Sequence, residues 1–153
     1  MTQEDKKQLL MKDLCARLPF NVKCYDFRYN DEGDKIDTIL TLDCIYPSIM
    51  KYKYKETDAK HNIERIKPYL RSMSSMTEEE KDFIRNNYFF EDWDSWNDLL
   101  HLHYHEINIE EISEFMDWLY AHHFDFPRKI NGKLTTLADL GLAIVAPKDM
   151  YKI

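Results

Sequence analysis

The chain has 153 residues, 44% of them hydrophobic and 14% aromatic, with a formal charge of −7. That is enough for one domain with a core that needs no disulfide or metal staples, and too aromatic for a disordered polymer. The negative charge argues against a general, sequence-independent grip on DNA or RNA, which needs cations to displace counterions, but it leaves room for a local basic patch or a basic protein partner.

The first stretch, MTQEDKKQLLMKDL, carries charges of both signs and no continuous apolar run, so it does not read as a secretory signal. Thr2 and Asp5 have the spacing of a capping box, and Leu10, Met11, Leu14 and Leu18 then share one face. The spacing predicts a helix over 2–18 that Pro19 stops. The pattern next turns to period two: Tyr25, Phe27 and Tyr29, then Thr38, Leu40, Leu42 and Cys44 after a turn at Gly33, then Met50, Tyr52 and Tyr54 after Pro47. Three short strands joined by turns make an antiparallel meander. No stretch approaches the ~20 apolar residues that span a bilayer. Cys15, Cys24 and Cys44 are odd in number and lack C-x-x-C spacing, as expected of reduced, partly buried thiols in a cytoplasmic protein.

From about residue 61 helical signals return. Thr77 followed by Glu78, Glu79 and Glu80 predicts a capped helix running to about Asn86. The stretch 88–105 reads as either helix or strand: Trp93, Trp96, Leu99 and Leu100 have helical spacing, with Asp92 or Asp94 as N-cap. Asn108 and Glu111 open the best-specified helix, with Ile107 and Ile112 as a hydrophobic staple and Ile112, Phe115, Met116 and Leu119 as its buried stripe. Asn131-Gly132 marks a tight turn; Thr136 and Asp139 cap a short helical turn ending at Gly141; Leu142 to Val145 form a last strand. The expectation is a single α+β domain over 1–153: an N-terminal helix, a three-stranded antiparallel meander, and a mainly helical C-terminal half with a short closing hairpin or strand.

Three stretches, IKPYLRSMSSMTEEEKDF (66–83), DWLYAHHFDF (117–126) and GLAIVAPKDMYK (141–152), resemble a family of small acidic proteins encoded in gut Bacteroidales genomes and in their phages and mobile elements. That family usually has a Tyr-Arg-Gly-Leu run directly after His-His-Phe-Asp. Here Phe126-Pro127-Arg128 leads instead into Lys129 to Leu140, an insertion or a divergent loop. The resemblance brings no catalytic residues with it. It implies an accessory protein of phage or mobile-element origin, many of which act by binding a host or defence component.

Four constellations carry potential chemistry. HLHYHE (101–106) concentrates His101, His103 and His105. On a strand the outer pair would be ~13 Å apart, so three in a row cannot reach one zinc at bonds of about 2.0–2.1 Å. On a helix only His101 and His105 meet. Either way a site needs remote ligands: His122, His123, Asp125 or His61, with Glu106 as general base in a metal-dependent hydrolase. The bland alternative is a polar edge without metal. His122-His123-Phe124-Asp125 is either a helix cap, with Asp125 bonding an imidazole, or a proton-transfer pair. Lys51-Tyr52-Lys53-Tyr54-Lys55 offers cations and aromatics for single-stranded nucleic acid, against a solvated edge with its tyrosines in the core. EDWDSWND (91–98) sets Glu91, Asp92, Asp94 and Asp98 around Trp93 and Trp96, a composition suited to a protein-binding surface or to a buried tryptophan pair.

Three glycines cannot build a phosphate loop, a nucleophile elbow or a dinucleotide fingerprint. The leading expectation is therefore a non-enzymatic module that binds a host or phage protein. No cofactor is expected on that reading, and nucleic acid and membrane are disfavoured partners. The alternatives are a hydrolase using zinc or another divalent metal at the histidines, and single-stranded nucleic-acid binding through Lys51–Lys55.

Overall fold

A computed structural model describes residues 1–45, 50–52, 66–88 and 109–151. Helix α1 spans Gln3–Arg17 and opens with the expected capping box: Thr2 accepts from the Asp5 amide while the Asp5 carboxylate accepts from the Thr2 amide. Pro19 then turns the chain through a single 3-10 turn, Leu18–Phe20. Strands β1 (Lys23–Tyr29), β2 (Lys35–Ile45) and β3 (Met50–Tyr52) form the antiparallel meander.

From Ile66 onward the chain departs from the helical expectation. Lys67–Ser72 is a strand, β4, paired antiparallel with β1 at Cys24–Pro68 and Tyr25–Lys67. Ile66, Pro68 and Leu70 are buried at alternate positions, a period of two that a short run flanked by Lys67 and Arg71 conceals. Pro68, which has no N–H to give the ladder, is tolerated near the strand's beginning. Extending that register would pair Lys23 with Tyr69. There the Tyr151 hydroxyl stands between them, accepting from the Lys23 amide at 3.0 Å and donating to the Tyr69 carbonyl at 2.8 Å. A side chain from the far end of the chain thus completes a rung of the sheet.

Helix α2, Glu78–Asn87, has the expected box between Thr77 and Glu80. Helix α3 is Ile109–Ala121; its expected cap at Asn108 lies outside the described residues. After it come β5 (Phe124–Asp125), the hairpin β6 (Arg128–Ile130) and β7 (Lys133–Thr135), and β8 (Ile144–Val145). Strands β5 and β8 both pair with β4 in parallel, so the sheet is mixed, with the path β3-β2-β1-β4-β5 and β8 as a second partner of β4. The α+β class, the N-terminal helix and the small C-terminal hairpin are as the sequence predicts. The residues that read as an insertion, Lys129 to Leu140, are that hairpin and the turn after it.

Two clusters fill the interior. Leu10 and Leu14 of α1 pack on Val22, Cys24, Leu42, Ile66 and Leu70 across one face of the sheet, closed by Leu137 and Ala143. Met76, Ile84, Phe115, Leu119, Phe124 and Phe126 form the second around α2 and α3. The stripe expected on α3 is present at Phe115, Met116 and Leu119. The opposite face of the sheet carries Tyr25, Phe27 and Tyr29, with Ile39 beside Tyr25. Cys24 is buried and Cys15 exposed, both as free thiols. Among the described residues no helix is long and apolar enough to cross a membrane.

Candidate functional site

The His-His-Phe-Asp run is the junction between α3 and the sheet. The helix stops because His123 takes a left-handed conformation, φ 63°, where a glycine or asparagine would be usual. The His122 amide donates to the Trp118 carbonyl and the His123 amide to the Tyr120 carbonyl, each at 3.0 Å. The His122 Nδ1 lies 2.8 Å from the same Trp118 oxygen, and its ring stacks on Trp118 at 4.0 Å. The run is thus a helix terminus, as the capping reading has it. The role expected of Asp125 needs correction. Among the described residues its carboxylate accepts no imidazole proton; it takes the backbone amides of Leu137 and Ala138, both at 2.9 Å. Those are free first-turn amides of the turn capped by Thr136 and Asp139, and they supply two well-aimed donors where an imidazole would supply one. Burial nevertheless pushes the Asp125 carboxyl above its ordinary range.

A buried ionic seam lies beside this junction, and sequence reasoning missed it. Arg17 is fully buried. Its Nε donates to Asp13 at 2.7 Å and its Nη2 to the Phe124 carbonyl at 2.7 Å, while its guanidinium lies 5.0 Å from the Tyr120 ring centre. Arg128 also pairs with Asp13. Arg71 of β4 makes a two-pronged pair with Glu80 of α2, at 2.9 and 2.7 Å, and lies over the Phe124 ring. Burial alone would raise the Glu80 carboxyl, but the hydrogen bonds from Arg71 and Thr77 hold it below its ordinary value. The signal for half of this was legible: Leu10, Asp13, Leu14 and Arg17 stand at i, i+3, i+4 and i+7, so the pair shares the apolar face of α1.

Between the turn after α1, the end of α3 and the C-terminal segment is a cleft of about 540 Å³. Phe20, Asn21, Arg71, His122, His123 and Tyr151 contribute to its walls. His123 stacks on Tyr151 at 3.8 Å, and its Nδ1 is buried with no hydrogen-bond partner among the described residues. Burial, together with the charges of Arg17, His122, Arg71 and Lys23, pushes its pKa down to about 4. The ring is therefore neutral at pH 7. His122 and His123 share this cleft, and Asp125 is not among its walls.

Among the described residues no three His, Cys, Asp or Glu side chains gather where a metal could be held. His101, His103, His105, Glu106 and His61 lie outside the described residues, as do Glu91, Asp92, Trp93, Asp94, Trp96 and Asp98. Of the lysine strand only the backbone of Lys51 and Tyr52 is described, in β3.

The surface of α2 and α3 offers a different kind of site. Phe83, 44% exposed, stacks on Trp118 at 5.9 Å and meets Tyr88 edge-on at 6.0 Å. Trp118 stacks in turn on buried Phe124, which makes a continuous aromatic path from surface to core. Both helices carry exposed acids, of which Asp82 is paired with Arg85 at 2.7 Å. Glu79 and Asp82 are exposed on α2, Glu114 and Asp117 on α3. Burial first, and then the charges of Glu114 and Asp117, raise the Tyr88 phenol. Phe83 falls outside the apolar stripe of α2, which is why its pairing with Trp118 could not be read from spacing. No protein-family model, no curated protein and no solved structure matches this chain.

Proposed function

We propose that the chain is a non-enzymatic protein-binding module, an accessory protein of phage or mobile-element origin that docks a basic host or phage protein on the aromatic face of α2 and α3. One observation carries this reading: an exposed ring, Phe83, is anchored to the core through Trp118 and Phe124 and shares its two helices with the exposed acids Glu79, Glu114 and Asp117. A rigid aromatic anchor with a charged rim is the anatomy of an interface hot spot. These three acids would steer a cationic partner and reject an acidic one. The origin rests on the family resemblance of the 66–83, 117–126 and 141–152 stretches.

The test is capture from a host lysate with the whole chain as bait, beside Phe83→Ala and a Glu114→Lys/Asp117→Lys pair. A partner should be retained by the wild type, released by salt, and held at least ten-fold more weakly by both variants, about 1.4 kcal/mol or more each. Equal retention by all three proteins, or no partner for the wild type, would remove the reading.

A further inference from the structure

We propose that the cleft beside His123 binds a small monocarboxylate with an apolar body, its carboxylate accepting from the Nε2–H of His123 and the Nε–H of Arg71. At about 540 Å³ the cleft has the size of a small-molecule site. Phe20, Ala121 and Met150 give it apolar walls, and the stacked rings of His123 and Tyr151 belong to the same lining. Both rings are held in place. The Tyr151 hydroxyl is tied to the Lys23 amide and the Tyr69 carbonyl, and the His123 carbonyl accepts from the Arg71 amide at 2.7 Å. A wall fixed in this way loses little freedom when a ligand arrives.

The polar groups left over set the ligand's chemistry. His123 is nine-tenths buried, yet among the described residues neither nitrogen of its ring has a hydrogen-bond partner. Its Nδ1 is sealed from solvent, and Nε2 is not. A neutral imidazole carries one N–H. An orphaned N–H is harder to bury than an orphaned lone pair, which puts the proton on Nε2. Arg71 is buried as well. Its Nη atoms serve Glu80 and, at 3.4 Å each, the His122 and Ser75 carbonyls, which leaves Nε–H as its unpartnered donor among the described residues. Two spare donors call for an acceptor on the ligand.

Charge decides which acceptor. The charges that weigh most on His123 are those of Arg17, His122, Arg71 and Lys23, and among the described residues no carboxylate contributes to the walls. The acids nearby are occupied: Asp13 by Arg17, Glu80 by Arg71, and Asp125 by the amides of Leu137 and Ala138. Asp149, next to Met150 in the chain, is exposed and adjoins exposed Lys148. The ion pairs cancel most of the arginine charge, so the cleft suits an anion of single charge better than a phosphate dianion. A charge-assisted bond to a carboxylate is about twice as strong as one to a neutral carbonyl.

The test is a titration of the whole, nitrogen-labelled chain at neutral pH with benzoate and hexanoate, beside benzamide and phenyl phosphate. Long-range proton–nitrogen spectra read the His123 ring directly, and backbone amide shifts follow binding in the variants. The free ring should carry its proton on Nε2. Benzoate, hexanoate or both should shift its nitrogens with a Kd of about 1 mM or tighter. His123→Gly, which suits the left-handed backbone, should weaken binding about ten-fold or more. Ala121→Leu fills the cleft from the end of α3 without altering either donor, and should abolish binding. Circular dichroism and thermal melting check that both variants keep their fold. A ring protonated at Nδ1, no saturable shift with either carboxylate, or binding that survives either variant would overturn the proposal. So would benzamide or phenyl phosphate binding as tightly as benzoate.

Discussion

The two halves of the interior are made of different material. Around α1 and the sheet the packing is aliphatic, Leu10, Leu14, Val22, Leu42, Ile66, Leu70 and Leu137 closing on one another. Around α2 and α3 it is aromatic, and its rings run from Phe124 through Trp118 to Phe83 at the surface. Between them lie Arg17 and Arg71, each with its charge on a carboxylate and its flat face near a ring of the aromatic half. An aliphatic cluster can exclude water by itself. The aromatic one is bounded by cations on one side and ends in exposed rings on the other, and that open end is where binding is proposed.

The strongest way to break this division is at the seam. Arg17→Met keeps the bulk of the side chain but strips the buried Phe124 carbonyl of its donor and leaves Asp13 with Arg128 alone. Removing one partner of a buried ionic network should cost about 4 kcal/mol in urea unfolding at pH 7. Leu14→Ala, a cavity in the aliphatic half, should cost about 3 kcal/mol. If Arg17→Met stays within about 1 kcal/mol of wild type, the seam is incidental and the halves are one core.

A proton should discriminate next. The folded pKa of His123, about 4, lies below the ordinary 6.5, so the native state favours the neutral ring. Its contribution is fully present above pH 6.5 and is lost as the pH falls toward 4, up to about 3 kcal/mol. Glu80, whose pKa is lowered from 4.5, adds its own loss only below that value. In the window between 4.5 and 6.5, Asp125, whose carboxyl is raised by burial, moves stability the other way as the pH falls, so it is the difference between wild type and a His123 variant that reports on His123. His123→Asn, which tolerates the left-handed backbone, should flatten the stability profile there. An unchanged slope would mean that the ring is not buried between the two halves.

How much of this was legible follows from the same contrast. The α1 stripe, the β1–β2 alternation and both capping boxes depend on local spacing, and they appear where the spacing puts them. The β4 strand was hidden because Pro68 reads as a strand breaker and Arg71 as a surface residue, although both are buried with Ile66 and Leu70. The seam was hidden for a stronger reason. Asp13 and Arg128 are 115 residues apart, and Arg17 and Phe124 107, so their pairing exists only once the fold brings them together. Asp125 was singled out for the right neighbourhood with the wrong partner, since no spacing tells a carboxylate that the free amides of residues 137 and 138 will arrive beside it.

The smallest effect should come from the hairpin, and it tests how far the seam reaches. Asn131 and Gly132 both have positive φ, 51° and 78°, the geometry of a tight two-residue turn between β6 and β7. A Cβ at Gly132 meets no atom within 4 Å, so Gly132→Ala is opposed by backbone conformation alone and should cost about 1 kcal/mol. Yet β6 begins at Arg128, which holds Asp13 at the seam. If that anchor is rigid, the strain stays in the turn, and the losses from Gly132→Ala and Arg128→Ala add in a double-mutant cycle. Losses that fail to add would show the hairpin pulling Arg128 off Asp13. The charged seam would then depend on a surface turn, as the aliphatic half does not.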